Sequence, residues 1–168
     1  METRFSFSII KFCCFAFIVT AAIGCNSDKG TLSAEHGKTV TDSSNSLMTH
    51  IAKDISAKGP IAWVDYFEDA PGFFMASGGQ LAFNDYPSAV SFVKNTLVKT
   101  MPQIKLRWQN VKIDPISGDF SAIGADFHED ITLANGATMP FRGYFTAVAH
   151  FDGKSWKLRN LHWSIKGQ

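Results

Sequence analysis

The sequence predicts an α+β domain in which three N-terminal helices pack on a strongly curved antiparallel sheet that encloses an internal pocket. Apolar residues recur at helical spacing up to about residue 101, and they alternate as in strands from residue 103 onward. Asn135-Gly136 and Asp152-Gly153 mark tight hairpin turns between those strands. Because a long curved sheet wraps around the helices it packs on, we expect a cone-shaped cavity between the two layers.

Residues 1–24 have the features of a secretory signal peptide. Arg4 and Lys11 precede the apolar run 12–24, which is shorter than the roughly 20 residues that a membrane-spanning helix needs. Cys25 follows Ala22-Ile23-Gly24, and this segment resembles the lipobox of bacterial lipoproteins, in which the Cys is lipidated and becomes the mature N-terminus. The alternative is an ordinary signal peptide with an incidental Cys.

The resemblance to lipoproteins implies a lipid on Cys25 and, because Asn26 follows it, a location on the periplasmic side of the outer membrane. Residues 25–44 are then expected to be the lipidated Cys and a flexible tether, since they are rich in small polar side chains. The folded domain is predicted over residues 45–168. All three Cys lie at or before position 25, so the domain has no disulfide.

Charge and composition limit the partners. After residues 1–25 are removed, the chain has equal numbers of basic and acidic residues and no basic stripe, which argues against nucleic acid and anionic lipid surfaces. Aromatic residues make up 13% of the chain, with 15 Phe and 4 Trp. So much large apolar surface predicts a thick core, a walled pocket or a buried interface.

Three helical patterns occupy the first half of the domain. The first is expected to be capped by Asp42, Ser43 or Ser44. Its buried stripe is predicted to be Leu47, Met48, Ile51 and Ile55. Gly59-Pro60 begins a second, shorter helix. Its buried face is predicted to be Ile61, Val64 and Phe67. A third helix begins near residue 84 and ends before Pro102.

Five strands are predicted. A short one at 73–75 lies between the second and third helices, and four longer ones follow at 103–113, 120–133, 138–151 and 155–165. The alternation in the first long strand is interrupted at Gln109-Asn110, which predicts a bulge.

Three stretches carry a family resemblance: residues 62–69 with 73–75, residues 86–92, and residues 152–164 with Trp156, His162 and Ser164 at characteristic offsets. In this order they resemble the NTF2-like superfamily, and within it the SnoaL-like and DUF4440-type domains, over about residues 45–166. The resemblance implies a cone fold and a homodimer through the outer sheet face. Because relatives include isomerases, dehydratases, cyclases and non-catalytic binders, the fold does not supply the function.

Alternation along the last strand places Trp156, Asn160 and His162 on one face, which is interpreted as the pocket wall. His162 is the candidate general acid or base, with Tyr144 as a hydrogen-bond donor. The other candidate pocket residues are Trp108, Tyr66, Thr146, Asn160 and Trp156. A structural His that makes one hydrogen bond is the alternative.

Two further patterns concern the sheet. Asp126, His128 and Asp130 share one face of a strand, with Glu129 opposite, and a solvated strand face is favoured over a metal site. We therefore expect no metal and no cofactor. A second, apolar set is predicted to form the outer sheet face and to mediate a homodimer, which a monomeric mass at micromolar concentration would contradict. That set is Ile123, Phe127, Phe145, Leu161 and Trp163.

The sequence thus favours a lipid-anchored, non-catalytic domain that binds a small apolar or amphipathic molecule. One alternative is an acid–base enzyme of the isomerase or dehydratase type that uses His162. Another is a cell-envelope module that recognises protein. None of the familiar nucleophile, phosphate-loop or metalloprotease motifs is present in the sequence.

Overall fold

A computed structural model of the protein describes residues 32–166. The helical elements are α1 (Ala34–Lys58), a 3-10 helix (Pro60–Asp65), and α2 (Tyr86–Phe92), which continues through a π-helical segment (Val93–Leu97) into a last turn, α3 (Val98–Thr100). The strands are β1 (Phe74–Ser77), β2 (Gln80–Phe83), β3 (Gln103–Pro115), β4 (Phe120–Thr132), β5 (Thr138–Phe151) and β6 (Trp156–Ile165). The predicted α+β class is confirmed.

The strands form one curved sheet in the order β2-β1-β6-β5-β4-β3. The meander β3 to β6 is antiparallel, as predicted, whereas β1 adds to β6 in the parallel direction. Strand β2 was not predicted from the sequence. The bulge expected at Gln109-Asn110 is present, because the register shifts between Gln109 and Lys112 and Asn110 has φ of 50°.

Helix α1 begins about ten residues earlier than the sequence suggested. Ser33 caps it, since its hydroxyl accepts a hydrogen bond from the backbone N–H of His36. Within the segment expected to be a tether, Val40 is buried and the Ser44 hydroxyl lies 2.8 Å from that of Ser121 on β4. The cap prediction and the tether prediction for residues 34–44 are therefore wrong. One apolar contact and one buried hydrogen bond suffice, because lengthening an existing helix costs less than starting one.

The face buried by the 3-10 helix differs in part from the one predicted. Phe67, just after the helix, is buried as predicted, and Val64 packs half-buried against the core. Ile61 is 40% exposed, whereas Ala62 and Trp63 are buried. A period of three residues per turn, in place of 3.6, moves the buried positions around the helix axis.

The core lies between the helices and one face of the sheet. Phe127, Phe145 and Leu161 on that face are fully buried and pack in one cluster with Ile51 and Ile55 of α1. The five residues predicted to form an apolar outer face therefore face the helices, which is a correction. Among residues 32–166, no helix has the length and apolarity to cross a bilayer. The signal peptide and Cys25 lie outside the described residues.

Candidate active or binding cavity

A partly open cavity of about 170 Å³ lies between the inner face of the sheet and the helical layer. The 3-10 helix, β1, α2 with its π-helical segment, and strands β3, β4 and β6 all contribute to its wall. The lining is apolar except for Ser77 and Glu129. The apolar members are Trp63, Phe67, Met75, Phe92, Val93, Leu97, Met101, Ile104, Ile131 and Trp163.

Aromatic rings form one wall of the cavity. The rings of Trp63 and Trp163 meet edge to face with centroids 5.3 Å apart, and Trp63 stacks on Phe67 at 6.0 Å. Trp163 is in turn held by Phe145, whose ring centroid lies 4.6 Å away. Because each ring packs against another, this wall has a defined shape before a ligand binds.

The helical wall has an irregular backbone. Val93 and Leu97 begin and end the π-helical segment and both line the cavity. A π-helical turn widens the helix by one residue and is frequent at functional sites. Here the π-helical turn directs the apolar side chains of Val93 and Leu97 into the cavity.

Glu129 is the one ionisable side chain among the residues that line the cavity. It lies on the inner face of β4, level with Leu106 on β3 and Phe141 on β5. Burial alone raises its pKa from 4.5 to about 7, with no hydrogen bond or neighbouring charge contributing. A carboxyl group in this state can donate a hydrogen bond when protonated or hold a cation when ionised.

The predicted catalytic pair does not reach this cavity. His162 lies level with Thr146, and Tyr144 level with Ser164, on the sheet face that points away from the helices. Tyr144 is 41% exposed. The prediction that these residues wall the internal pocket is corrected, and any chemistry they perform would take place on the outer face.

The wrong assignment of Asn160 and His162 to the inner face of the sheet has a physical origin in β6. Register along β5 and β6 shifts between Val148 and Ala149, so that Arg159 is an extra residue between Leu158 and Asn160. Leu158 consequently points inward, while Asn160 and His162 point outward. The Asn160 amide donates a hydrogen bond to the carbonyl oxygen of Gly72, 2.8 Å away.

The remaining predicted pocket residues also lie elsewhere. The Trp108 indole N–H donates to the carbonyl oxygen of Met48 at 3.0 Å. Tyr66 and Trp156 line a separate shallow groove beside α1. The Tyr66 hydroxyl donates to Asp54 at 3.0 Å, and burial, followed by this bond, raises the pKa of Tyr66 to about 12. These contacts hold α1 to the rest of the fold.

The three aligned polar residues of β4 each have a different partner. Asp126 accepts a hydrogen bond from Asn110, His128 lies 2.6 Å from an Arg142 nitrogen, and Asp130 pairs with Arg107 at 2.8 Å. Among residues 32–166, no group of three or more His, Cys, Asp or Glu side chains is placed to hold a metal ion. The geometry is that of a solvated strand face.

A second buried carboxylate lies outside the cavity. Glu68 is buried, and its Oε1 lies 2.7 Å from Nδ1 of His150 and 3.7 Å from the Arg159 guanidinium. The Glu68 backbone N–H also donates to the carbonyl of Leu158. This cluster attaches the loop before β1 to the end of the sheet.

Comparison with known proteins agrees with this architecture. No family model matches the sequence, and no curated protein matches it. A solved NTF2-like superfamily protein from Salmonella enterica serovar Typhimurium LT2 superposes with a TM-score of 0.66 at 17% identity, over 78% of this chain and 94% of that one.

Two further structures are similar. A putative scytalone dehydratase from Novosphingobium aromaticivorans gives a TM-score of 0.63 at 9% identity, over 79% of this chain and 88% of that one. A hexachlorocyclohexane dehydrochlorinase, LinA-type3 from Novosphingobium barchaimii, gives 0.62 at 11% identity, over 77% and 88%. The chain therefore has the NTF2-like cone fold. At these identities the likeness extends to the fold alone.

Proposed function

We propose that the domain binds a small apolar or amphipathic molecule, about the size of one aromatic ring, in the internal cavity. The observation that carries this proposal is the apolar lining of the cavity, which only Ser77 and Glu129 interrupt. Dry apolar cavities of about 150 Å³ hold benzene in other proteins, so 170 Å³ is enough for one ring with a short substituent. Ligands of ordinary drug size need more room.

A binding role fits the lining better than catalysis does. Acid–base catalysis needs a base, and it also needs groups that stabilise the charge developing in the transition state. The cavity offers one carboxyl group and one hydroxyl among apolar walls. The solved dehydratase and dehydrochlorinase share the fold, and their chemistry is not carried over to this chain.

Filling the cavity should abolish binding. Leu97→Trp places an indole in the space that a ligand would occupy, and we expect toluene to bind at least about tenfold more weakly to this variant. Ligand-observed NMR on the purified full chain measures the affinity. Thr96→Trp is the matched control, since Thr96 is the exposed neighbour in the same π-helical segment. Equal toluene binding by both variants would contradict the proposal.

We further propose that Cys25 anchors the protein to the periplasmic side of the outer membrane. The support is the sequence pattern Ala22-Ile23-Gly24-Cys25 behind an apolar run. In the native host, Cys25→Ser should move the protein out of the membrane fraction and prevent incorporation of labelled fatty acid. Cys14→Ser changes a Cys within the apolar run and should leave both unchanged. If both variants remain lipidated, Cys25 is not the anchor.

The predicted homodimer stays a prediction. Of its two bases, the family resemblance and an apolar outer sheet face, the second is removed because those side chains form the core. The face that points away from the helices carries instead Tyr144, Thr146 and His162.

A further inference from the structure

We propose that the ligand is a small hydrophobic amine, bound as a cation with its ammonium group against the Glu129 carboxylate and its apolar body against the aromatic wall. This inference rests on the proposed binding function and narrows it to one class of ligand. It follows from two features of the cavity: its single ionisable group and its aromatic wall.

The first feature is an acid without a basic partner. Glu129 is level with Leu106 and Phe141 on the neighbouring strands, so neither strand offers it a cation. The side chains that line the cavity from the 3-10 helix, β1, α2, the π-helical segment, β3 and β6 carry no ionisable group. When Glu129 is ionised, its charge is therefore uncompensated, and a charge taken out of water without a partner is costly. A ligand cation would remove that cost.

The second feature is the aromatic wall. Trp163 and Trp63 both line the same cavity as Glu129, with their ring centroids 5.3 Å apart. Along β5, Glu129 is level with Phe141 and Trp163 is level with Phe145, so the carboxylate and the indole lie at separate places in the cavity wall. An amine with its ammonium group at Glu129 can therefore place its apolar body against the aromatic wall and against Phe92 and Leu97.

A neutral ligand gains less from this arrangement. It can accept a hydrogen bond from Glu129 only when the carboxyl group is protonated, and the pKa of about 7 leaves that form in the minority above neutral pH. A neutral hydroxyl can donate to the ionised carboxylate, but it leaves the negative charge uncompensated. An anionic ligand would meet a like charge. Among ligands of equal shape, the cation is therefore the one that the cavity should prefer in mildly alkaline solution.

Benzylamine and benzyl alcohol provide a direct test, because they match in shape and differ in charge. At about pH 8, where the amine is protonated, we expect the full chain to bind benzylamine at least about tenfold more tightly than benzyl alcohol. Calorimetry or ligand-observed NMR gives both dissociation constants. In Glu129→Gln the preference should fall to near unity, with benzyl alcohol binding retained.

Asp130→Asn is the matched control, since it removes one negative charge from the next residue of β4 on the opposite face. It should leave the preference unchanged. If Glu129→Gln fails to fold, the wild-type chain supplies the same information: lowering the pH from about 8 to about 5 protonates Glu129 and should abolish the preference for the amine.

The outcomes separate the two proposals. If neither compound binds the wild-type chain, the proposed binding function fails. If benzyl alcohol binds as tightly as benzylamine, the cavity binds apolar molecules and the amine inference is overturned. If the preference survives in Glu129→Gln, another group recognises the cation and the assignment to Glu129 is wrong.

Discussion

Gly143→Ala is expected to lower the free energy of unfolding by about 3 kcal/mol or more, the largest effect of any single methyl group added to this sheet. Gly143 lies on β5 between Phe127 on β4 and Ile165 on β6. A Cβ at this position would collide with the backbone carbonyl oxygen of Ser164 and would lie 2.9 Å from two ring carbons of Phe127. The carbonyl belongs to a paired strand and Phe127 is fully buried, so neither group can move without disturbing the core.

Gly124→Ala is the matched control, because it adds the same methyl group to the neighbouring strand. There the Cβ would meet the Tyr144 side chain, with the hydroxyl oxygen 2.6 Å away. That side chain is largely exposed and can rotate outward, so we expect a loss below about 1 kcal/mol. Urea unfolding followed by circular dichroism measures both variants. Similar losses for Gly143→Ala and Gly124→Ala would mean that the contact with Ser164 does not limit packing.

The fold could be predicted from the sequence because most of its elements are strongly patterned. The stripe on α1, the alternation in the four long strands and the two Gly-containing hairpin turns each point to the same architecture. The exceptions are short or lightly patterned. Strand β2 has four residues, three of them exposed, and the first ten residues of α1 bury only Val40 and so resemble a tether in composition.

The site could not be predicted, because a single inserted residue reverses the faces of a strand. Arg159 lies in the bulge of β6, and the apolar residues Trp156 and Leu158 before it suggested that Asn160 and His162 also face inward. Nothing in the composition of residues 156–162 marks the bulge. The partner strand β5 carried the better signal, since Phe145, Ala147 and Ala149 alternate with Tyr144, Thr146, Val148 and His150, three of which carry polar groups.

Glu129 is the one cavity residue that the sequence pattern could have identified. Along β4, Phe127 and Ile131 are buried on the inner face, and Glu129 is the charged residue between them. An acidic residue is unusual on a strand face whose other residues are apolar and buried, and its presence suggests a function. Assigning Phe127 to the outer face hid this exception, because Glu129 was then assigned to the outer face as well.

Glu129 should make the stability of the protein depend on pH in the direction opposite to that of a salt-bridged carboxylate. Its pKa is about 7 in the folded chain and close to 4.5 in the unfolded chain, so between these values the folded state holds a proton that the unfolded state has lost. The free energy of unfolding therefore receives the full contribution of this group below about pH 4.5 and loses it as the pH rises through about 7. The complete loss is on the order of 3 kcal/mol.

Glu129→Gln isolates this contribution, because an amide of the same shape does not ionise. As the pH rises from about 5 to about 8, the free energy of unfolding of the variant should increase by about 2 to 3 kcal/mol relative to that of the wild type. Titration of the other groups cancels in this difference. Asp130→Asn, which loses an exposed ion pair, should show little change across the same range. A flat difference for Glu129→Gln would mean that water solvates the ionised carboxylate inside the cavity. A hydrophobic amine should abolish the wild-type loss above pH 7 by pairing with that charge, which links the stability measurement to the ligand proposed for the cavity.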